Sequence, residues 1–176
     1  MASYKAEFLS HHYARRIRPR AMYALALLPW IARAASRAPR LVNAVLGAPV
    51  LGSGVRRLAG ITTRRPAPAF ARHPFRRGAS AAAHADDLAA TVVVWPDTFT
   101  DTSRPDVADD LVAVLEAIGE RIAVPSAWAC CGRPLYDAGM IGLARRTLTH
   151  LLDVLEPRTS RDPGRGRGAE LSRRLP

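Results

Sequence analysis

The best-patterned part of the chain lies in its second half. Thr91 to Trp95 is a short unbroken run dominated by β-branched valines. Such a run suits a strand buried on both faces of a parallel sheet. Pro96, Asp97 and Thr98 end it. Ser103 to Gly119 then reads as a helix. Pro105 suits its first turn, Val107, Leu111, Val114, Leu115 and Ile118 recur at helical spacing, and Gly119 is a natural stop. Arg121 to Pro125 is a second strand candidate. Leu135 to Leu155 supplies another helix, with Met140, Leu143, Ala144, Thr147, Leu148, Leu151, Leu152 and Leu155 along one stripe.

The first half is patterned differently. Ser3 to Arg16 is a plausible amphipathic helix, and Met22 to Ser36 a second with Met22, Leu25 and Leu28 near one face. Arg40 to Leu58 is a weaker helix because Gly47, Pro49, Gly52 and Gly54 punctuate it. Thr62 to Ala85 turns to Arg, Pro, Ala and His with no periodicity, the composition of a linker or an extended strap.

Strand, helix, strand, loop and helix in that order make a βαβα unit whose crossover should be right-handed. The fold class is therefore α/β, a helical N-terminal region followed by an incomplete βαβα unit with a short parallel sheet. The expected organisation is a basic helical region at 1–61, a Pro/Arg/Ala-rich linker at 62–85, a partial α/β domain at 86–157 and a disordered basic tail at 158–176. In open α/β sheets ligands gather beyond the carboxyl ends of the strands, and Cys130 to Pro134 falls just after the second strand.

Charge sharpens these boundaries. Of the 26 basic residues among the 176, only Lys5 is not arginine. Residues 1–80 hold 15 basic side chains against Glu7 alone, for +14. Residues 81–157 hold 5 against 12, for −7, and the tail holds 6 against 2, for +4, which together give the net +11. The change of sign near Asp86 coincides with the end of the aperiodic stretch. No segment reaches the ~20 apolar residues that span a bilayer. Ala21 to Ala32 comes nearest and Pro29 interrupts it. Arg15, Arg16, Arg18 and Arg20 before that run imitate a signal peptide, but Tyr4 to Tyr13 would make an unusual leading region.

The chain has two cysteines, and they are neighbours. Adjacent Cα atoms stand ~3.8 Å apart, below the ~4.4 Å lower end for ordinary disulfides, so free thiols in a reducing compartment are expected. Ala129-Cys130-Cys131-Gly132-Arg133-Pro134 is the segment with chemical character. Adjacent thiols present soft ligands to one metal centre, and Gly132 lets the backbone turn beside them. Arg133 and the amino end of the following helix would lower thiol pKa values and stabilise an anionic cluster. The opposing reading is that two small residues simply fill a strand-to-helix turn, since two thiols do not make a four-ligand site.

Cys130-Cys131-Gly132-Arg133-Pro134, preceded by Trp95-Pro96-Asp97-Thr98-Phe99 and followed by Gly139-Met140, resembles the first cysteine-rich CCG domain of bacterial FAD-linked oxidases fused to an iron-sulfur subunit. Related modules occur in glycolate oxidase iron-sulfur subunits and heterodisulfide reductases. The opening Met1 to Leu9 similarly resembles the stretch after the second ferredoxin cysteine motif of such proteins. The resemblance implies electron transfer through iron-sulfur clusters of the 4Fe-4S type during oxidation of a 2-hydroxy acid such as lactate or glycolate. It implies Cys130 and Cys131 as cluster thiolates, with Gly132 and Arg133 shaping the loop. FAD and hydride removal would belong to a flavin part absent from this chain, so no residue here is catalytic. A complete CCG domain would carry an earlier cysteine and a later pair that this chain lacks. The resemblance thus implies a fragment truncated at both ends, inactive alone, whose partners are other oxidoreductase subunits.

Other features have blander readings. His11 and His12 lack companions at ligand spacing and read as solvated helix residues. Asp97 and Asp101 flank a strand end and could act as acid and base, but turn capping explains them as well. The basic front suits an anionic surface, which makes a non-enzymatic interaction module docking on a membrane or an acidic partner the alternative function. No helix-turn-helix, zinc-finger or RNA-binding aromatic pattern accompanies it, so nucleic acid is not favoured. The expected location is cytoplasmic, with a peripheral position at the inner membrane face in the alternative reading.

Overall fold

The structure, a computed structural model, describes residues 2–159. The tail expected from residue 158 lies, from residue 160 onward, outside the described residues. In chain order the elements are α1 (Ala2–His12), α2 (Arg20–Ala26), α3 (Leu28–Ala35), α4 (Pro39–Gly47) and α5 (Pro49–Leu58). A 3-10 turn (Phe75–Arg77) and α6 (Ala79–Ala83) follow. Then come β1 (Val92–Val93), α7 (Thr98–Thr102), α8 (Pro105–Ala117), β2 (Ile122–Ala123), α9 (Arg133–Asp137) and α10 (Ile141–Thr159). The fold is α/β, mostly helical around a two-stranded sheet.

β1 and β2 pair in parallel, with Val92 opposite Ile122 and Val93 opposite Ala123. Both strands are shorter than the runs Thr91–Trp95 and Arg121–Pro125 that announce them, although Val94 and Val124 remain buried. A bridge from Ala85 to Val124 adds a contact on the far side of β2, where the Val124 amide donates to the His84 carbonyl at 2.8 Å. Asp97 caps α7, its carboxylate accepting from the amides of Phe99 and Thr100. The single helix expected over Leu135–Leu155 is two, because Gly139 at φ +69° closes α9 before α10 starts. Met22 to Ser36 is likewise split at Leu27.

The aperiodic stretch from Thr62 to Ala85 carries core. Phe75 is 1% exposed and packs with Ala81, Val94, Ala108, Val112, Ile122 and Val124. Asn43 holds Phe70 at both its amide and carbonyl, at 2.9 and 2.8 Å. The Ala71 amide donates to the Thr102 carbonyl at 2.8 Å. This segment therefore behaves as a strap whose fixed points are single residues, which is why no period marks it.

α8 departs from expectation in its choice of face. Ala108 and Val112 are buried, with Leu115 partly so, whereas Val107, Leu111, Val114 and Ile118 are 47 to 68% exposed. Small side chains let α8 approach Phe75 and the sheet closely, so the buried stripe sits beside the larger residues that periodicity selects. α10 shows the same effect: Ala144, Leu151 and Val154 are buried while Leu143, Leu148 and Leu152 are about half exposed.

The N-terminal helices pack on the second half. Ala26, wholly buried, meets Leu135, Ala138 and Ala144, with Met22, Trp30, Tyr136 and Met140 at the edge of the cluster. No helix among the described residues is long and apolar enough to cross a membrane.

Replacing Phe75 with Ala tests whether the strap is core. Truncating a buried Phe costs roughly 3–5 kcal/mol, so Phe75→Ala should lower the unfolding free energy by that order in denaturant titration. A loss below about 1 kcal/mol, the size of an ordinary surface change, would show the strap to be peripheral.

Candidate functional site

The thiol turn sits at the end of a loop whose carbonyls are captured one after another. After β2, Val124 and Pro125 are buried, and the Arg76 guanidinium donates to the carbonyls of Pro125 and Ala127. The Trp95 indole N–H donates to the Ala129 carbonyl at 3.2 Å, and the His150 ring nitrogen lies 3.2 Å from the Trp128 carbonyl. Trp128 is further held by the edge of Trp30, ring centroids 5.7 Å apart, and by the Arg33 guanidinium 4.9 Å above its ring. Each captured carbonyl removes freedom from the segment that delivers Cys130.

Cys130 is 5% exposed, and its Sγ accepts a long hydrogen bond of 3.4 Å from the Gly132 amide. Cys131 is exposed. Gly132 reverses the chain at φ +73° and caps α9. A Cβ there would lie 2.9 Å from the Ala144 carbonyl oxygen, so glycine is required both by conformation and by the approach of α10.

Two clefts meet at Cys131. The first, about 210 Å³, lies between Leu28 and Pro29 of α3, the aromatic rings of Trp95 and Trp128, and both cysteines. The second, about 660 Å³ and more open, runs from Cys131 past Gly132 and Tyr136 to Arg145 and Leu148 of α10.

Electrostatics at the pair differ from the sequence expectation. Burial pushes the Cys130 thiol above the ordinary value and the neighbouring Cys131 pushes the same way, against the Gly132 amide. Arg133 does not reverse this, because its Nε is bound to both oxygens of Asp137 at 2.9 and 3.0 Å in an exposed ion pair. α9 has five residues, too short a stack of peptide dipoles to act strongly at its amino end.

The remaining candidates divide. Asp97 lines the first cleft as a cap; burial raises its pKa, but bonds from the Thr100 hydroxyl and the Phe99 and Thr100 amides outweigh that and hold it low. Asp101 is buried behind it, its pKa raised by burial despite the Arg76 amide and guanidinium, with Oδ1 3.0 Å from the Arg76 amide nitrogen. Both therefore have structural partners. His11 faces Glu7 at 4.0 Å, and His12 stacks on Phe8, distant in role from the thiols. Sequence reasoning missed Arg76, Trp95 and Trp128 as supports, since each acts across more than thirty positions or through a carbonyl. Among the described residues no group of three His, Cys, Asp or Glu side chains is placed to hold a metal ion.

Fold and site together define a predominantly helical α/β protein with a vicinal-thiol turn beyond the carboxyl end of its second strand. Over 65 residues, 37% of the chain, it is 31% identical to lactate utilization protein A of Bacillus thuringiensis (strain Al Hakam). The same figures hold for lactate utilization protein A 2 of Bacillus mycoides (strain KBAB4) and lactate utilization protein A of Bacillus cereus (strain B4264). The chain is thus distantly homologous to lactate utilization protein A over that stretch, which spans 27% of the relatives' length. No family model matches the chain, and no solved structure does.

Thiol alkylation checks the asymmetry of the pair. Cys131 should be modified first at neutral pH, with Cys130 trailing by more than tenfold, as burial and a raised pKa both suppress its thiolate. The folded pKa of Cys130 is the higher one, so its buried neutral thiol contributes stability that is complete below about pH 9 and lost as pH rises through the folded value. Unfolding midpoints followed upward from pH 8 should fall less steeply in Cys130→Ala than in the wild type. Equal alkylation rates for the two thiols would refute the assignment.

Proposed function

We propose that this chain is part of an iron-sulfur electron-transfer component in the oxidation of a 2-hydroxy acid, lactate or glycolate in type, with Cys130 and Cys131 as two thiolate ligands of a 4Fe-4S-type cluster. The observation that carries this reading is the vicinal-thiol turn, one sulfur in the wall of a cleft and the other at the junction of two clefts, held in place by Gly132 and a pinned loop. Homology over 65 residues to lactate utilization protein A supports the substrate class.

The donor set fits such a cluster in kind and falls short in number. Thiolates are the ligands iron-sulfur clusters take, and a complete set needs four. The described residues bring two together, and no group of three His, Cys, Asp or Glu side chains among them is placed to hold a metal ion. The chain therefore works only with ligands from another segment or a partner oxidoreductase subunit. When bound, a cluster supplies one-electron storage. What these residues do is present two sulfurs, turn the backbone through Gly132 and limit water around Cys130 with Trp95, Trp128 and Pro29. Arg133, paired to Asp137, shapes the start of α9. Hydride removal and FAD belong to other parts of the system. Free thiols suit a reducing, cytoplasmic setting.

Anaerobic expression followed by reconstitution with iron, sulfide and excess small-molecule thiol, which fills the two missing ligand positions, tests this, beside a Cys130→Ser, Cys131→Ser variant. Protein-bound iron with visible charge-transfer absorption is expected in the wild type and should be lost in the variant. No iron in either, or equal iron in both, would overturn the reading. The charge of +14 on residues 1–80 would then favour a basic docking module, visible as salt-sensitive binding to anionic vesicles without metal.

A further inference from the structure

We infer that the N-terminal helical region is the positioning element of the vicinal-thiol turn, and that Arg18 is the residue that couples the two. The inference rests on the reading that Cys130 and Cys131 are the working groups, but not on whether a cluster assembles.

α9 begins immediately after the cysteines and ends at Ala138 and Gly139, so whatever holds its carboxyl end sets how the thiol turn meets α10. That end is closed from 120 residues away. Arg18 Nε donates to the Ala138 carbonyl and Arg18 Nη2 to the Gly139 carbonyl, each at 3.2 Å. The Ala138 carbonyl is an orphan acceptor at the cap of α9 and the Gly139 carbonyl belongs to the turn that follows, and one guanidinium satisfies both. Arg18 is itself steadied over the Tyr13 ring, 5.3 Å from its centroid.

Around this fork the backbones are in contact. A Cβ on Gly139 would lie 2.6 Å from both Leu9 Cβ and the Ser10 amide nitrogen, so α1 rests directly on the turn between α9 and α10. α2 adds Ala26 against Leu135 and Ala138, and α3 adds Leu28 and Pro29 as a wall of the first cleft. The thiol turn is thus gripped at Gly132 by α10 and at Gly139 by α1 and Arg18. Leu28 and Pro29 of α3 line the same cleft as Cys130. Arg18 thus joins Arg33 and Arg76 among the arginines of the basic front that have internal partners, and composition alone does not distinguish them.

The test is the ratio of Cys130 to Cys131 alkylation in the full chain, read by mass spectrometry at one fixed pH, in Arg18→Ala, Arg18→Lys and an Arg104→Ala control. Arg104 is an exposed residue paired with Asp106 outside the site. Loss of charge-assisted bonds of this kind typically changes a local opening equilibrium about tenfold. Arg18→Ala should therefore raise the Cys130 rate about tenfold with Cys131 changed less than twofold. Arg18→Lys should fall between, and Arg104→Ala should match the wild type. Added methylguanidinium should restore slow Cys130 labelling in Arg18→Ala, a rescue that general destabilisation would not give. An unchanged ratio in folded Arg18→Ala, or no rescue, overturns the inference. If Arg18→Ala does not fold, a wild-type ratio in Arg18→Lys does so. Labelling reports on the apo chain, so failed iron binding and a failed clamp are separate outcomes.

Discussion

The pairing of Arg76 with Asp101 joins the strap to α7 and, through the same guanidinium, to the thiol loop. Asp101 takes the Arg76 amide at 3.0 Å, and its second oxygen stands 3.8 Å from the guanidinium. The same guanidinium reaches the carbonyls of Pro125 and Ala127 on the way to the cysteines. Strap, α7 and thiol loop thus converge on one side chain. Both partners are almost fully buried, and burial opposes the charge on each, lowering the Arg76 pKa and raising that of Asp101. Such a pair contributes little net stability but is costly to break from one side, because the survivor is left charged and dry. In this fold the pair seats the strap, the Arg76 amide bonded to Asp101 and its guanidinium to the carbonyls of Pro125 and Ala127.

That seat determines the rest. With Arg76 fixed, Phe75 enters the core between α8 and the sheet, and α8 must turn its small residues inward to admit it. The larger aliphatic side chains of α8 are consequently left toward solvent. The same strap continues through α6 to His84 and Ala85, which pair with Val124 and extend the order around β2 beyond its two ladder residues. β2 therefore leads into the loop with neighbours on both sides, and the loop is held by carbonyl capture until it reaches the thiols.

Chemistry follows from the same constraint. Cys130, at the end of the pinned loop, lies in the cleft wall with a raised pKa, while Cys131, one residue on, is open. Arg133, which adjacency makes the obvious electrostatic partner, is neutralised by Asp137 one helical turn on.

By itself the sequence determined the α/β class, the order of strand, helix, strand and helix, and the glycine turn after the cysteines. These depend on neighbours along the chain: β-branched runs, prolines at first turns, a cap at Asp97 and glycines at positive φ. Tertiary structure alone decided which helix faces are buried, that an aperiodic stretch supplies Phe75, that α9 and α10 are separate, and that Arg18, Arg76 and Trp95 serve the thiol turn. Hydrophobic period marks a face as apolar but says nothing of the shape it must meet, and α8 meets Phe75 with Ala108 and Val112 while Val107, Leu111 and Val114 stay exposed. A hydrogen bond from Arg18 to Gly139 spans 121 positions, and no local pattern can encode it.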